Sequence, residues 1–166
     1  TRGSSTKDMG SFKSPPLCPH RELCGGCMYQ GVPYEEQLAL KAANVRKTFV
    51  DAGIDFIDIE EIQPSSSILE YRNKMEFGFG NECRGGELQL GMHRLGSFIS
   101  VTTTDECMLV PPEFRILLRV VLNFCKEKGY DFYHKKRHAG LLRNLILRKG
   151  FRTNEILVNI VTSSQG

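Results

Sequence analysis

The sequence predicts an α+β fold: an antiparallel β-sheet with two packed helices, preceded by an N-terminal cysteine loop. Three observations predict it. Two apolar stripes of helical spacing each begin near a proline and end at a glycine. Several short runs alternate apolar and polar residues between Gly- and Asn-containing turns. Finally, Cys18, Cys24 and Cys27 crowd together before any periodic segment, where core packing does not explain them.

Residues 1–16 are rich in Ser, Gly, Lys and Pro, and read as a flexible leader. Residues 17–33 form the thiol loop, and residues 34–166 a single α+β domain. The first helix is expected over about 33–52, with Pro33, Glu35 and Glu36 in its first turn and Gly53 at its end. Its stripe is Leu38, Ala42, Val45 and Phe49. A strand is expected over 57–63 and a clearer one over 71–79. In the latter Tyr71, Asn73, Met75, Phe77 and Phe79 share one face, and Arg72, Lys74 and Glu76 the other. Turn residues 81–86 lead into a return strand over 87–94, which completes a hairpin with one apolar and one polar face. Residues 98–102 suggest a further short strand.

Pro111-Pro112-Glu113 opens the second helix, and Gly129 closes it. Its buried stripe is Phe114, Leu117, Leu118, Val121, Leu122 and Cys125. Two more strands are expected over 141–149 and 155–161.

The chain has 166 residues, 40% hydrophobic and 25% charged, which suits a globular domain with a real core. No apolar run reaches membrane-spanning length and no signal-peptide core is visible, so a cytoplasmic, reducing setting is expected. There, clustered thiols are better read as ligands than as disulfides.

Cys18-Pro-His-Arg-Glu-Leu-Cys24-Gly-Gly-Cys27 is therefore a candidate polythiolate site. Cys125 sits on a helical stripe and reads as a core thiol, and Cys83 falls in a polar turn. Cys107 belongs to no stripe and is the best remaining fourth ligand. Structural zinc favours two separated cysteine pairs, whereas one short loop plus a remote thiol suits an iron–sulfur cubane. Spacing alone favours the cubane and leaves zinc open. Gly25 and Gly26 would let the backbone turn tightly and aim amides at sulfur. His20 is a possible competing ligand.

The net charge is only +3, but its distribution is uneven. Between Phe132 and Asn154 there is no acidic residue, while Lys135, Lys136, Arg137, Arg143, Arg148, Lys149 and Arg152 fall inside. With Arg72, Lys74, His93 and Arg94 on the hairpin, this is the footprint of a nucleic-acid binder, against the plainer reading of a solvated surface. A nucleotide-binding glycine fingerprint and a convincing nucleophile–base pair are both missing.

Together these segments resemble the RNA uracil-C5 methyltransferase family, in particular its iron–sulfur-containing 23S rRNA branch. The matching pieces are the cysteine run through Gln30, Tyr34-x2-Gln37-Leu38-x2-Lys41, and Tyr71-Arg-Asn-Lys-Met-Glu-Phe77. Gly91-Met-His-Arg-x-Gly-Ser97, Asp105-Glu-Cys107-x-Leu109 and Gly140-Leu-Leu-Arg-Asn-Leu145 complete the set. They follow one another over roughly residues 17–163.

The resemblance implies a [4Fe–4S] cluster on Cys18, Cys24, Cys27 and Cys107. It also implies that Arg72, Lys74, His93 and Arg94 lie on or near the RNA-facing side of a central domain; the basic strands from Arg143 onward are expected to grip phosphate and Phe98 to stack on bases. Members use S-adenosylmethionine to methylate C5 of a flipped-out uridine. A catalytic cysteine adds to C6, the resulting enolate takes the methyl group, and a base removes the C5 proton. No catalytic residue of that scheme falls within this sequence. The cofactor-binding domain is expected after Gly166 and an oligonucleotide-binding domain before Thr1. The expected partner is RNA, 23S rRNA above all, with a monomeric protein and no membrane.

Overall fold

The structure, a computed structural model, describes residues 17–55 and 59–164. They fall into two compact units, residues 31–66 and residues 17–30 with 67 onward.

The first unit contains helix α1, Tyr34–Asp51. Pro33 occupies the N-cap and Glu35 and Glu36 the first turn, where negative charge opposes the helix dipole. Gly53 adopts φ 64° just beyond its end, a left-handed stop that suits glycine. Leu38 and Ala42 line a shallow groove with Ile59 and Ile62, while Val45 and Phe49 stay exposed. The helix buries no residue. Residues 59–63 form no strand, and Ile57 and Asp58 of that expected strand lie outside the described residues.

The second unit is built on five antiparallel strands: β1 (Lys74–Gly80), β2 (Gln89–His93), β3 (Val101–Thr103), β4 (Leu142–Lys149) and β5 (Ile156–Thr162). Their order is β3-β2-β1-β4-β5. The alternating pattern of β1 puts it at the centre, with Gly78 opposite Gly91 on β2 and Phe77 opposite Leu145 on β4. Met75, Phe77, Phe79, Leu90, Leu145 and Leu147 form the buried face. Helix α2, Pro112–Glu127, contributes Phe114, Leu118, Leu122 and Cys125 to the same core. Each large apolar side chain so buried contributes about 1.5–3 kcal/mol. A bulge between Leu142 and Asn144 marks the start of the β4–β5 pairing.

Two boundaries differ from expectation for local reasons. Tyr71 and Asn73 are exposed and precede β1, because the amides of Glu70 and Arg72 donate to the Met108 and Leu109 carbonyls instead of joining the sheet. The short strand is Val101–Thr103, since the Ser97 hydroxyl accepts the amides of Ile99 and Ser100 and turns 97–100 out of the ladder.

Candidate metal centre and nucleic-acid face

The cysteine loop begins with one tight turn: the amides of Leu23 and Cys24 both donate to the His20 carbonyl, at 3.0 and 2.8 Å. Cys24 then bridges to Arg94 just past β2, with Gly25 N donating to His93 O (2.9 Å) and Leu95 N to Leu23 O (2.8 Å). A Cβ on Gly25 would sit 3.3 Å from the His93 carbonyl, so glycine permits this close backbone approach. Only one of the two glycine amides reaches sulfur: Gly26 N donates to Cys24 Sγ at 3.3 Å, whereas Gly25 N is taken by His93.

The loop is also tied to the turn carrying Cys107. The amide of Glu106 donates to His20 Nε2 at 3.1 Å, and Asp105 lies 3.8 Å from the same nitrogen. That nitrogen is therefore engaged in joining two segments, which removes it from the ligand set. From helix α2, Arg115 donates to the carbonyls of Cys107 and Val110, both at 3.0 Å, and pairs with the Glu70 carboxylate at 2.5 Å. Arg119 donates to the Asp105 carbonyl at 3.1 Å. Two arginines one helical turn apart thus grip the segment before and after Cys107.

Cys18, Cys24, Cys27 and Cys107 come within electrostatic reach of one another. Burial is the main cause that lifts the thiols of Cys24, Cys27 and Cys107 above the ordinary range, and mutual repulsion adds to it. Opposing this, the Gly26 amide favours the Cys24 thiolate, and the amides of Leu109 and Val110 favour that of Cys107. All six cysteines are free thiols; Cys83 is exposed and Cys125 is buried in the core. Among the described residues, no group of three His, Cys, Asp or Glu side chains is arranged to hold a metal ion. What the fold provides is a soft donor set, four thiols from two segments with backbone amides turned toward sulfur. That chemistry fits a polythiolate-bound group.

The basic residues divide into two groups. Lys74 and His93 are exposed, and Arg143 is exposed with its guanidinium 4.9 Å over the Tyr133 ring. Arg94 is half-buried and 4.0 Å from Glu82. Arg72, expected beside Lys74, precedes the strand; it is half-buried, reaches Met75 Sδ at 3.7 Å, and favours the thiolates of Cys27 and Cys107. Lys74 faces Arg148 directly across the β1–β4 ladder, an arrangement of like charges that destabilises a sheet unless an anion lies nearby. Arg115 and Phe151 went unnoticed in the sequence. Arg115 sits on the α2 register beside its apolar stripe, and only the proximity of Cys107 gives it a role. Phe151 is 89% exposed at the β4–β5 turn.

The β-sheet unit carries Cys18, Cys24 and Cys27 on one loop, Cys107 on a separate turn, and exposed basic residues along its strands. No protein-family model matches the sequence. It is similar to proteins described as uncharacterized RNA methyltransferases: 45% identical over 150 residues to one from Clostridium acetobutylicum, covering 90% of this chain and 33% of that protein. The corresponding protein of Caldanaerobacter subterraneus subsp. tengcongensis is 43% identical over 154 residues, covering 93% and 34%. Among solved structures, the Pyrococcus abyssi tRNA (uracil-54, C5)-methyltransferase in complex with S-adenosyl-L-homocysteine superposes with a TM-score of 0.66 at 26% identity. That match covers 93% of this chain and 34% of the other. The chain spans about one third of the length of the relatives it matches.

Proposed function

We propose that the chain is the cluster- and RNA-binding part of an S-adenosylmethionine-dependent enzyme that forms 5-methyluridine in 23S rRNA. The gathering of Cys18, Cys24, Cys27 and Cys107 carries this reading. They would hold a [4Fe–4S] cluster, which when bound supplies a rigid crosslink between the N-terminal loop and the Cys107 turn. The chain's own residues do the rest. His20 and the Cys24–Arg94 bridge fix the loop, and Arg115 fixes the turn.

Lys74 and Arg143 are exposed cations suited to RNA phosphates, and the exposed His93 imidazole can donate a hydrogen bond to one. Arg72 and Arg94 belong to the same RNA margin but are partly committed, Arg72 toward the thiols and Arg94 toward Glu82. The nucleophile and the S-adenosylmethionine site are assigned to the remaining two thirds of such proteins. A cytoplasmic monomer acting on RNA is the setting this reading requires; no helix among the described residues is long and apolar enough to cross a membrane.

The test is methyl transfer from labelled S-adenosylmethionine by the full-length protein to 23S rRNA and, separately, to tRNA. Label recovered as 5-methyluridine in 23S rRNA is the expected result. Label confined to tRNA, the substrate named for the Pyrococcus abyssi neighbour, would overturn the rRNA assignment. Absence of label in either would overturn the activity.

A further inference from the structure

The β4–β5 turn presents an aromatic ring to solvent. Phe151 is 89% exposed, yet the turn beneath it is tightly closed. Gly150 N donates to Glu155 O (2.9 Å), Asn154 N donates to Gly150 O (2.8 Å), and Glu155 N donates to Thr153 Oγ1 (3.3 Å). Asn154 takes the left-handed φ of 57° that such a turn needs. The ring is therefore held out by a fixed backbone.

Its surroundings are cationic. Arg152 follows it in the turn, and Arg148 lies on β4 directly opposite Lys74; all three are exposed. Lys149, between them, is bound to Glu113 at 2.8 Å on the helix-covered face and takes no part. Phe98 is equally exposed, but it lies among exposed Leu95 and Ile99, and the nearby Arg94 faces Glu82. Phe151 joins an almost fully exposed ring to basic residues that make no ion pair among the described residues.

We infer that Phe151 is a stacking platform for an unpaired base of single-stranded RNA, with Lys74, Arg148 and Arg152 holding the flanking phosphates. The inference rests on the RNA reading above and gives it a location. Aromatic stacking is indifferent to base identity, and cations track the backbone, so this contact grips unpaired RNA without reading its sequence. The Lys74–Arg148 juxtaposition is relieved when a phosphate lies between them.

The chain has no tryptophan, so F151W carries a single fluorescent reporter. Its emission should be that of a solvent-exposed indole and should be quenched by an unstructured oligoribonucleotide but not by an RNA duplex of equal length. F151A should weaken binding of that oligonucleotide by about 5- to 150-fold, the range of one lost stacking contact. Wild-type binding with an unquenched F151W and an unchanged F151A affinity would overturn the platform while leaving the RNA reading intact. Wild-type chain that binds no RNA would overturn both. An F151W emission already blue-shifted before RNA is added would mean that a second copy covers the ring, and would overturn the platform.

Discussion

Arg115 links the helix to the Cys107 turn through three acceptors, the carbonyls of Cys107 and Val110 and the carboxylate of Glu70. Hydrogen bonds from a charged donor contribute about 1.5–3 kcal/mol each, and removing the donor leaves two part-buried carbonyls unmatched. R115Q should therefore lower stability by about 2–3 kcal/mol in urea unfolding. It should also speed alkylation of Cys107 in the folded, metal-free chain, read by mass spectrometry. Faster alkylation of every cysteine alike would show general loosening rather than a local role. His20 works at the same scale. H20A removes the acceptor of the Glu106 amide, and should expose the loop thiols while leaving the Cys125 alkylation rate unchanged. None of these contacts is legible in sequence, since His20 and Glu106 are far apart along the chain. The cysteines themselves were legible, because thiols outside every apolar stripe require another explanation.

Helix α2 and strand β1 show why the sheet could be read and the first helix only in part. Phe114, Leu118 and Leu122 repeat at four-residue steps and all are buried, so periodicity and packing agree. L118A should cost about 2–5 kcal/mol, because Leu118 is fully buried between helix and sheet. Met75, Phe77 and Phe79 obey the two-residue period in the same way. Helix α1 has caps and a stripe, and its bounds were legible to within a residue. Its packing partner was not, since a stripe says that something covers it without saying what. The strands near Ser97 and Tyr71 start later than the pattern suggests, where side-chain and backbone hydrogen bonds compete with the ladder. Gly140 illustrates a constraint that sequence shows only as a turn letter. It has φ 100°, and a Cβ there would overlap the Phe132 carbonyl oxygen, so G140A should disrupt the entry to β4. Loss of protection of the β4 amides in hydrogen exchange would report it.

At the scale of the molecule, the buried thiols couple folding to pH. Burial raises Cys24, Cys27 and Cys107, so the folded chain keeps them protonated to higher pH than the unfolded chain does. Their contribution to stability is present in full below the ordinary thiol value of about 8.5 and is lost as pH rises through the raised folded values. The urea midpoint of the metal-free chain should therefore fall on the alkaline side, and an unchanged midpoint up to pH 10 would contradict the burial. Metal uptake requires thiolates, so it should release protons and strengthen with pH. The sheet and its hairpin could be read from alternation. The division into two units could not, because a single chain of ordinary composition carries no mark of where contacts thin out.

Cys18, Cys24, Cys27 and Cys107 are proposed to hold one [4Fe–4S] cluster together. Iron and acid-labile sulfide per chain, measured after anaerobic reconstitution of the wild type and of C107A, test it most directly. The account predicts about four irons and four sulfides with a broad visible absorption in the wild type, as that cluster type requires, and their loss in C107A. Stoichiometric zinc with no iron or sulfide, or a C107A variant that keeps the full cluster, would contradict it.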